Sequence, residues 1–383
     1  PNIPVTHNFR ALSYDCDYFD LAEAVDFVAV DTNATIKDRA AELACEIDLM
    51  RSLKKNGIRS PDGDHGFWVI EQKAGHVDWQ EVNSLVRPGV VRLFTYQLIS
   101  RGATGVLYFR WRQPRIGVEK FYGGVLTHDG RAENRGFQEI KQIGQELQRL
   151  GPALKDTRVI ADVCILYSHE NEWSLKHTRQ PNEHFNYRHH IQLFYNALHD
   201  RNISVDFARP TEDLSKYRLV FAPSLQLLAG GEADLLKLYV HNGGTLVGTF
   251  NSGLVDEYHI APDTGFPHDL TDLFGMEVLE FDALPPGEEN HLMFKGSFPA
   301  SHLHPGVVWC DIIEAKGCQV VATFTKDFYA GRPAMTLNDF GDGKAIYIGT
   351  MSHQSFYYDL IEWLRQMCNL HPLIKVPDTV EVS

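Results

Sequence analysis

Four times between residues 1 and about 150, a short apolar run of strand character gives way to a stretch of helical period. That alternation limits the fold more than any other feature of the sequence. Ile3 to Phe9 reads as a strand, Tyr18 to Val25 as a short helix and Asp26 to Asp31 as a second strand. An amphipathic helix over about 36 to 55 follows, with Leu43, Ile47 and Met50 spaced i, i+4, i+7 along one face. Phe67 to Gln72 is a third strand. Arg87 to Gly102 is a helix with Pro88 in its first turn and Gly102 past its end. Gly105 to Arg112 is a fourth strand, and 132 to 150 a polar-faced helix that stops at Gly151. Apolar strands alternating with helices imply a parallel sheet whose working edge lies at the strand C-termini. Four such units are half of an eight-unit barrel.

One strand carries a candidate for chemistry. In Gly66-Phe67-Trp68-Val69-Ile70-Glu71-Gln72, strand-forming residues lead into a single acid, and Trp79-Gln80 follows shortly after. A lone carboxylate at the C-terminal tip of a parallel strand sits where such folds place catalytic groups. The competing reading is an acid that caps the next helix or pairs with an arginine. The order of the surrounding elements favours the first.

The segment Gly151 to Asp156 reads as a linker to a second αβ region. There, strands at Val159 to Tyr167, Leu219 to Pro223 and Thr245 to Phe250 alternate with helices at about 185 to 200 and 231 to 241. Strands at Gln319 to Phe324 and Ala345 to Gly349 and a helix at about 354 to 369 complete it, suggesting a doubly wound domain. The organisation expected is 1–151, 157–371 and a short remainder at 372–383. A net charge of −14 without any basic run argues against a nucleic-acid partner. No apolar stretch reaches the roughly 20 residues of a membrane span. Six cysteines without a CxxC pair argue against a disulfide framework or zinc knuckle and for a reducing, cytoplasmic setting.

The second region offers motifs that do not hold. Cys164 lies inside a strand and makes a poor nucleophile despite His169 and Glu170 nearby. Pro223-Ser224-Leu225 lacks the glycines of a nucleophile elbow. Gly341-Asp342-Gly343 reads as a hairpin turn. His177, His184, His189 and His190 match no metal spacing and read as helix surface. The region is expected to be structural, with its outer faces available for assembly.

Glu71-Gln72 with Trp79-Gln80, the string Leu107-Tyr108-Phe109-Arg110-Trp111-Arg112-Gln113 and Glu119-Lys120-Phe121-Tyr122-Gly123-Gly124 together resemble the β-galactosidases of glycoside hydrolase family 42. Pro4-Val5-Thr6-His7-Asn8-Phe9, Asp17-Tyr18-Phe19, Arg87-Pro88-Gly89, Ala222-Pro223-Ser224, Gly243-Gly244-Thr245-Leu246-Val247 and Phe328 to Ala334 are similar to that family's other blocks, in the same order. The resemblance implies the C-terminal half (strands five to eight) of a TIM (β/α)8 barrel. A trimerisation domain like the class I glutamine amidotransferases, without their catalytic residues, would follow. Val376 to Val382 would begin a small β domain. It also implies a retaining exo-β-galactosidase acting on β-galactosides or galacto-oligosaccharides as a homotrimer, with no cofactor. Glu71 would be the nucleophile, Trp79 a wall for the sugar ring, and Glu119, Phe121 and Tyr122 further substrate contacts. Retaining enzymes need two carboxyl groups about 5 Å apart.

The departures carry expectations of their own. Tyr122 stands where the family usually has a histidine. Val30-Asp31-Thr32-Asn33-Ala34 stands in place of a Trp-Asp-x-Tyr-Pro-like block. The family's acid/base glutamate follows an asparagine upstream of the Pro-Val-Thr block, so it and the family's zinc site are expected outside this chain. Asn171-Glu172 and Asn182-Glu183 share the dipeptide but read as surface residues. A half-barrel leaves open sheet edges. The missing half would come from the rest of a longer enzyme or from a separate chain supplying strands one to four, or the chain would close the gap by self-association. The alternative to an enzyme is a non-catalytic galactoside-binding or assembly subunit.

Overall fold

The computed structural model describes residues 3–10, 16–32, 39–54, 66–155, 157–300, 302–372, 374–376 and 380–382. They fall into two compact units, divided between Ile160 and Ala161.

The first unit runs β1 (Asn8–Arg10), α1 (Tyr18–Ala24), β2 (Ala29–Thr32), α2 (Ala40–Ser52), β3 (Phe67–Lys73), α3 (Val90–Ser100), β4 (Ala103–Phe109) and α4 (Arg135–Leu154). Its sheet is parallel throughout in the order β1-β2-β3-β4, the layout of half an eight-stranded barrel. Among the described residues, β1 and β4 each pair with a single neighbouring strand. Helix starts follow local chemistry. The Asp17 carboxylate accepts the Phe19 backbone N–H at 2.7 Å, and the Asn134 side chain accepts that of Phe137 at 2.8 Å. The predicted stripe of α2 is buried at Leu43, Ile47 and Met50. Asp48 on the same helix is 1% exposed and ion-paired with Arg101 at 2.5 Å and Arg51 at 3.1 Å.

Several boundaries move. β1 covers only the end of the stretch expected as a strand, and β4 stops at Phe109 rather than Arg112. The expected linker at 151 to 156 is instead the last turn of α4, which runs through Gly151 and Pro152 to Leu154; Asp156 lies outside the described residues. Proline normally drives the residue before it out of the helical region by clashing with that residue's Cβ and backbone N–H. Gly151 has no Cβ, so the helix passes through, and the Lys155 N–H closes the final turn on the Gly151 carbonyl at 2.9 Å.

The second unit comprises β5 (Val163–Leu166), α5 (His169–His177), α6 (Tyr187–His199), β6 (Val205–Ala208), β7 (Leu219–Ala222), α7 (Glu232–His241), β8 (Thr245–Thr249) and α8 (Thr271–Phe274). Then come β9 (Met276–Ala283), β10 (Asn290–Phe294), β11 (His304–Ala315), β12 (Gln319–Phe324), β13 (Pro333–Phe340), β14 (Gly343–Ile348), β15 (Thr350–Ser352) and α9 (Gln354–Met367). Five parallel strands, β6-β5-β7-β8-β14, form one end of the sheet. Every residue of β5, β6, β7 and β8 is buried, as expected where helices cover both faces. The sheet continues antiparallel through β13, β12, β10, β11 and β15, with β9 paired to β11. The Gly341-Asp342 turn joins β13 to β14, with Phe340 opposite Gly343, as its sequence predicts. Of Val376 to Val382, residues 377–379 lie outside the described residues. Among the described residues, no helix is long and apolar enough to cross a membrane, and no three His, Cys, Asp or Glu side chains gather where a metal could sit.

Several polar residues expected on the surface are buried. Asn171 and Glu172 on α5 are 0% and 3% exposed. The Asn171 side-chain amide donates to the Ser224 carbonyl at 3.1 Å, while Glu172 accepts from Tyr167 and pairs with Arg188. Asn182 donates to the carbonyls of Leu284 and Val308, both at 2.8 Å, whereas Glu183 is exposed as expected. Dipeptide identity said nothing about these sites because their burial comes from segments far along the chain. Cys164 is buried, and burial holds its thiol well above the usual range, so it is inert.

His190 is the clearest reversal. Read as helix surface, it is 0% exposed on α6, ringed by Phe185, Phe194, Phe250 and Tyr357. Its Nε2 lies 3.2 Å from Thr249 Oγ1 and its Nδ1 3.3 Å from the Tyr357 hydroxyl. In the neutral ring one of these nitrogens donates and the other accepts, so both hydroxyls serve as partners. Burial pushes the His190 pKa down to about 3, and His189 adds to the effect. The unfolded chain therefore binds the extra proton first. Stability from this ring is complete above pH 6.5 and declines as pH falls toward 3. At pH 4.5 the loss is on the order of 2 kcal/mol. In a His190→Phe variant, the drop in thermal midpoint between pH 7 and pH 4.5 should be several degrees smaller than in the parent, read by circular dichroism.

Candidate active site

Parallel pairing brings the tips of β1, β2 and β3 to one edge. Asn8 pairs in register with Ala29, and Asp31 with Glu71. A register shift between Val30 and Asp31 sets those two carboxylates opposite each other on the paired strands. The Asn8 side-chain amide donates to both oxygens of Asp31, each at 3.2 Å. Beside Glu71, the buried Gln72 accepts the Thr32 hydroxyl at 2.5 Å, which locks the tips of β2 and β3 together.

Beyond β4, the chain turns back so that Glu119 pairs with Arg110 at 2.9 Å. Both are half-exposed, so the pair adds little to stability and can exchange partners with a ligand. The following turn is pinned to the loop after β3. The Gly123 N–H donates to the His76 carbonyl at 2.8 Å, and the Ala74 N–H to the Phe109 carbonyl at 3.1 Å. Gly123 lies so near Gly75 that an added Cβ would fall 2.8 Å from the Gly75 Cα. Only glycine permits that approach.

Electrostatics single out Glu71. Burial raises its pKa above the ordinary 4.5, and the Asp31 carboxylate raises it further. Arg10 opposes this, Glu119 adds to it, and Arg110 again opposes it. A carboxylate destabilised by burial and like charge, yet held ionised by two guanidinium groups, is a reactive one. Asp31 is raised too, by burial, against the hydrogen bond from Asn8 and the nearby Arg10 and His7.

Of the residues predicted for the site, Glu71, Trp79, Glu119 and Tyr122 come together. Trp79 is 58% exposed. Tyr122 is 4% exposed, its ring edge-on to Phe109 at 5.2 Å between centroids, and its hydroxyl is hydrogen-bonded to Trp79. Burial, then Glu71, push its pKa up to about 12. Phe121 is 75% exposed on the same turn. Asp31, Asn8, Arg10 and Arg110 were not singled out as site residues from sequence. Asp31 carried the same signal that exposed Glu71, a lone acid closing an apolar strand. Asn33 and Ala34, the end of the altered block, lie outside the described residues.

In an Asp31→Asn variant the like charge is removed, so the Glu71 carboxyl should titrate at lower pH than in the parent. Carbon-13 shifts of labelled glutamate report this directly. An unmoved Glu71 midpoint would mean that Asp31 does not act on it.

Known families match both units. A model described as β-galactosidase matches residues 1–150, and one described as β-galactosidase trimerisation domain matches residues 161–371. The chain is 37% identical over 385 residues to the β-galactosidase BgaB of Geobacillus sp. (strain Y412MC61), an alignment that takes in 100% of this chain and 55% of BgaB. Among solved structures, the β-galactosidase from Bacillus circulans sp. alkalophilus superposes with a TM-score of 0.94 at 34% identity, covering 100% of this chain and 55% of that one. Gan42B, a family 42 β-galactosidase of G. stearothermophilus, gives 0.90 at 33% identity, covering 98% of this chain and 55% of that one. The chain thus spans about half the length of the relatives it matches.

Proposed function

Since the chain belongs to the glycoside hydrolase family 42 β-galactosidases, we propose that it forms the nucleophile-bearing part of a retaining exo-β-galactosidase. Its substrates are terminal β-D-galactosyl residues of galactosides and galacto-oligosaccharides. The observation that carries this reading is Glu71, a half-buried acid at the tip of β3 with Asp31, Glu119, Arg10 and Arg110 around it. In the proposed reaction a Glu71 oxygen attacks the anomeric carbon, and the bond to the leaving oxygen breaks as that oxygen takes a proton from the acid. The covalent galactosyl–enzyme is then hydrolysed by water, which returns its proton to the same acid acting as base. Arg10 and Arg110 keep Glu71 ionised, while burial and the neighbouring acids keep it poorly solvated and nucleophilic.

The proton donor is proposed to lie outside this chain. Asp31 is occupied by the Asn8 amide and Glu119 by Arg110. Glu119 is well suited to accept hydrogen bonds from galactose hydroxyls, and the exposed face of Trp79 to pack against the C–H face of the sugar. The match of residues 161–371 to a trimerisation domain supports a homotrimer as the working assembly.

Hydrolysis of a nitrophenyl β-galactoside should be measured for this chain alone and with a separately expressed half from a related enzyme carrying strands one to four. Activity restored by the added half should fall on the order of 10⁴-fold in Glu71→Gln, with galactose still bound. In Glu71→Ala, added azide should restore turnover and yield the α-galactosyl azide, because the anion attacks from the side that Glu71 vacates. A β-azide product would instead assign Glu71 as the acid/base. A folded trimer that binds galactose but stays silent in every arm would favour the galactoside-binding or assembly role.

A further inference from the structure

We infer that Tyr122 is a positioning residue, whose buried hydroxyl holds the indole N–H of Trp79 and so fixes the plane of the ring that the sugar packs against. The inference rests on the reading of Trp79 as a sugar platform and deepens it: Tyr122 acts on the ligand through Trp79 and does not touch it.

Three observations carry this. First, Tyr122 is 4% exposed whereas Trp79 is 58% exposed, so one ring can meet a ligand and the other is shielded. Second, indole has a single polar atom and it can only donate, so in the hydrogen bond between the two the phenol oxygen accepts. With its N–H committed, Trp79 presents an apolar face and no polar edge. Third, Tyr122 is itself held from several sides. Its N–H donates to the Glu119 carbonyl at 3.0 Å, and its ring meets Phe109 edge-on. The next residue, Gly123, is pinned to the 75–76 backbone. The loop after β3 has no helix or strand of its own between Lys73 and Val90, so an aromatic ring in it needs such an external anchor.

The consequence is specific to a tyrosine at this position. A shorter ring with two nitrogen atoms could face a sugar hydroxyl, whereas the buried phenol commits an oxygen lone pair to the Trp79 N–H. Polar recognition of the sugar on this side then falls to Glu119 and Arg110, and Trp79 contributes shape.

The test is Tyr122→Phe, which keeps the buried ring against Phe109 and deletes only the oxygen. Trp79 emission is isolated as the difference between each protein and its Trp79→Phe counterpart. Deleting the oxygen should raise the acrylamide quenching constant of Trp79 about twofold and weaken galactose binding about five- to tenfold, the size of one lost hydrogen bond. In the Trp79→Phe background the same change should leave galactose affinity unaltered, because the group it positions is already gone. Unchanged quenching, or losses that add in the double variant, would overturn the inference. If the parent chain binds no galactose, the reading of the site as a sugar subsite fails, and quenching alone decides whether Tyr122 holds Trp79. Should Tyr122→Phe unfold, Tyr122→Leu checked by thermal midpoint and Tyr122→His, which restores a hydrogen-bonding edge, replace it. A histidine variant as loosely quenched as the leucine would again overturn the anchor.

Discussion

Everything at the candidate site depends on the parallel register of β1 to β4. Because the strands run the same way, their C-terminal tips share one edge, and side chains separated by 20 to 40 residues in sequence become neighbours. Asp31 and Glu71 face each other only because β2 and β3 pair in phase at their ends, with a register shift just before Asp31. The same edge gathers Asn8, Arg10, Arg110 and Glu119. A one-residue slip would send these acids to the helix-covered face, where a carboxylate without a partner costs several kcal/mol. Register, more than residue identity, makes the cluster.

The two units treat buried polarity differently. In the second unit, Glu172, Asn171, Asn182 and His190 are buried and satisfied by partners from remote segments, which makes them structural and chemically quiet. In the first unit, Glu71 is only half-buried, and its neighbours pull its protonation in opposite directions. Satisfied burial rigidifies, whereas incomplete and opposed electrostatics leave a group ready to react. The opposed charges lie in the first unit, while residues 161–371 match a trimerisation domain.

Where sequence reasoning failed, the cause was distance along the chain. His190 looked like helix surface because nothing near it in sequence announces Phe250 and Tyr357, which wall it in. The supposed linker at Gly151-Pro152 failed for a local reason, since glycine lacks the Cβ that supplies part of the clash ending helices before proline.

From residue patterns alone, the chain determined four strand–helix units, the apolar parallel core of the second region, the hairpin at Gly341-Asp342, the acid at the tip of β3 and, through its blocks, the family. These are short-range properties, set by side-chain period, turn chemistry and backbone preference within a few residues. Tertiary structure alone decided which acids adjoin Glu71, which guanidinium groups steady it, and which polar residues are sealed away. It also decided that Tyr122 is buried beside an exposed Trp79. Those outcomes depend on strand register and on contacts between residues tens of positions apart, and such contacts exist only once the sheet has formed.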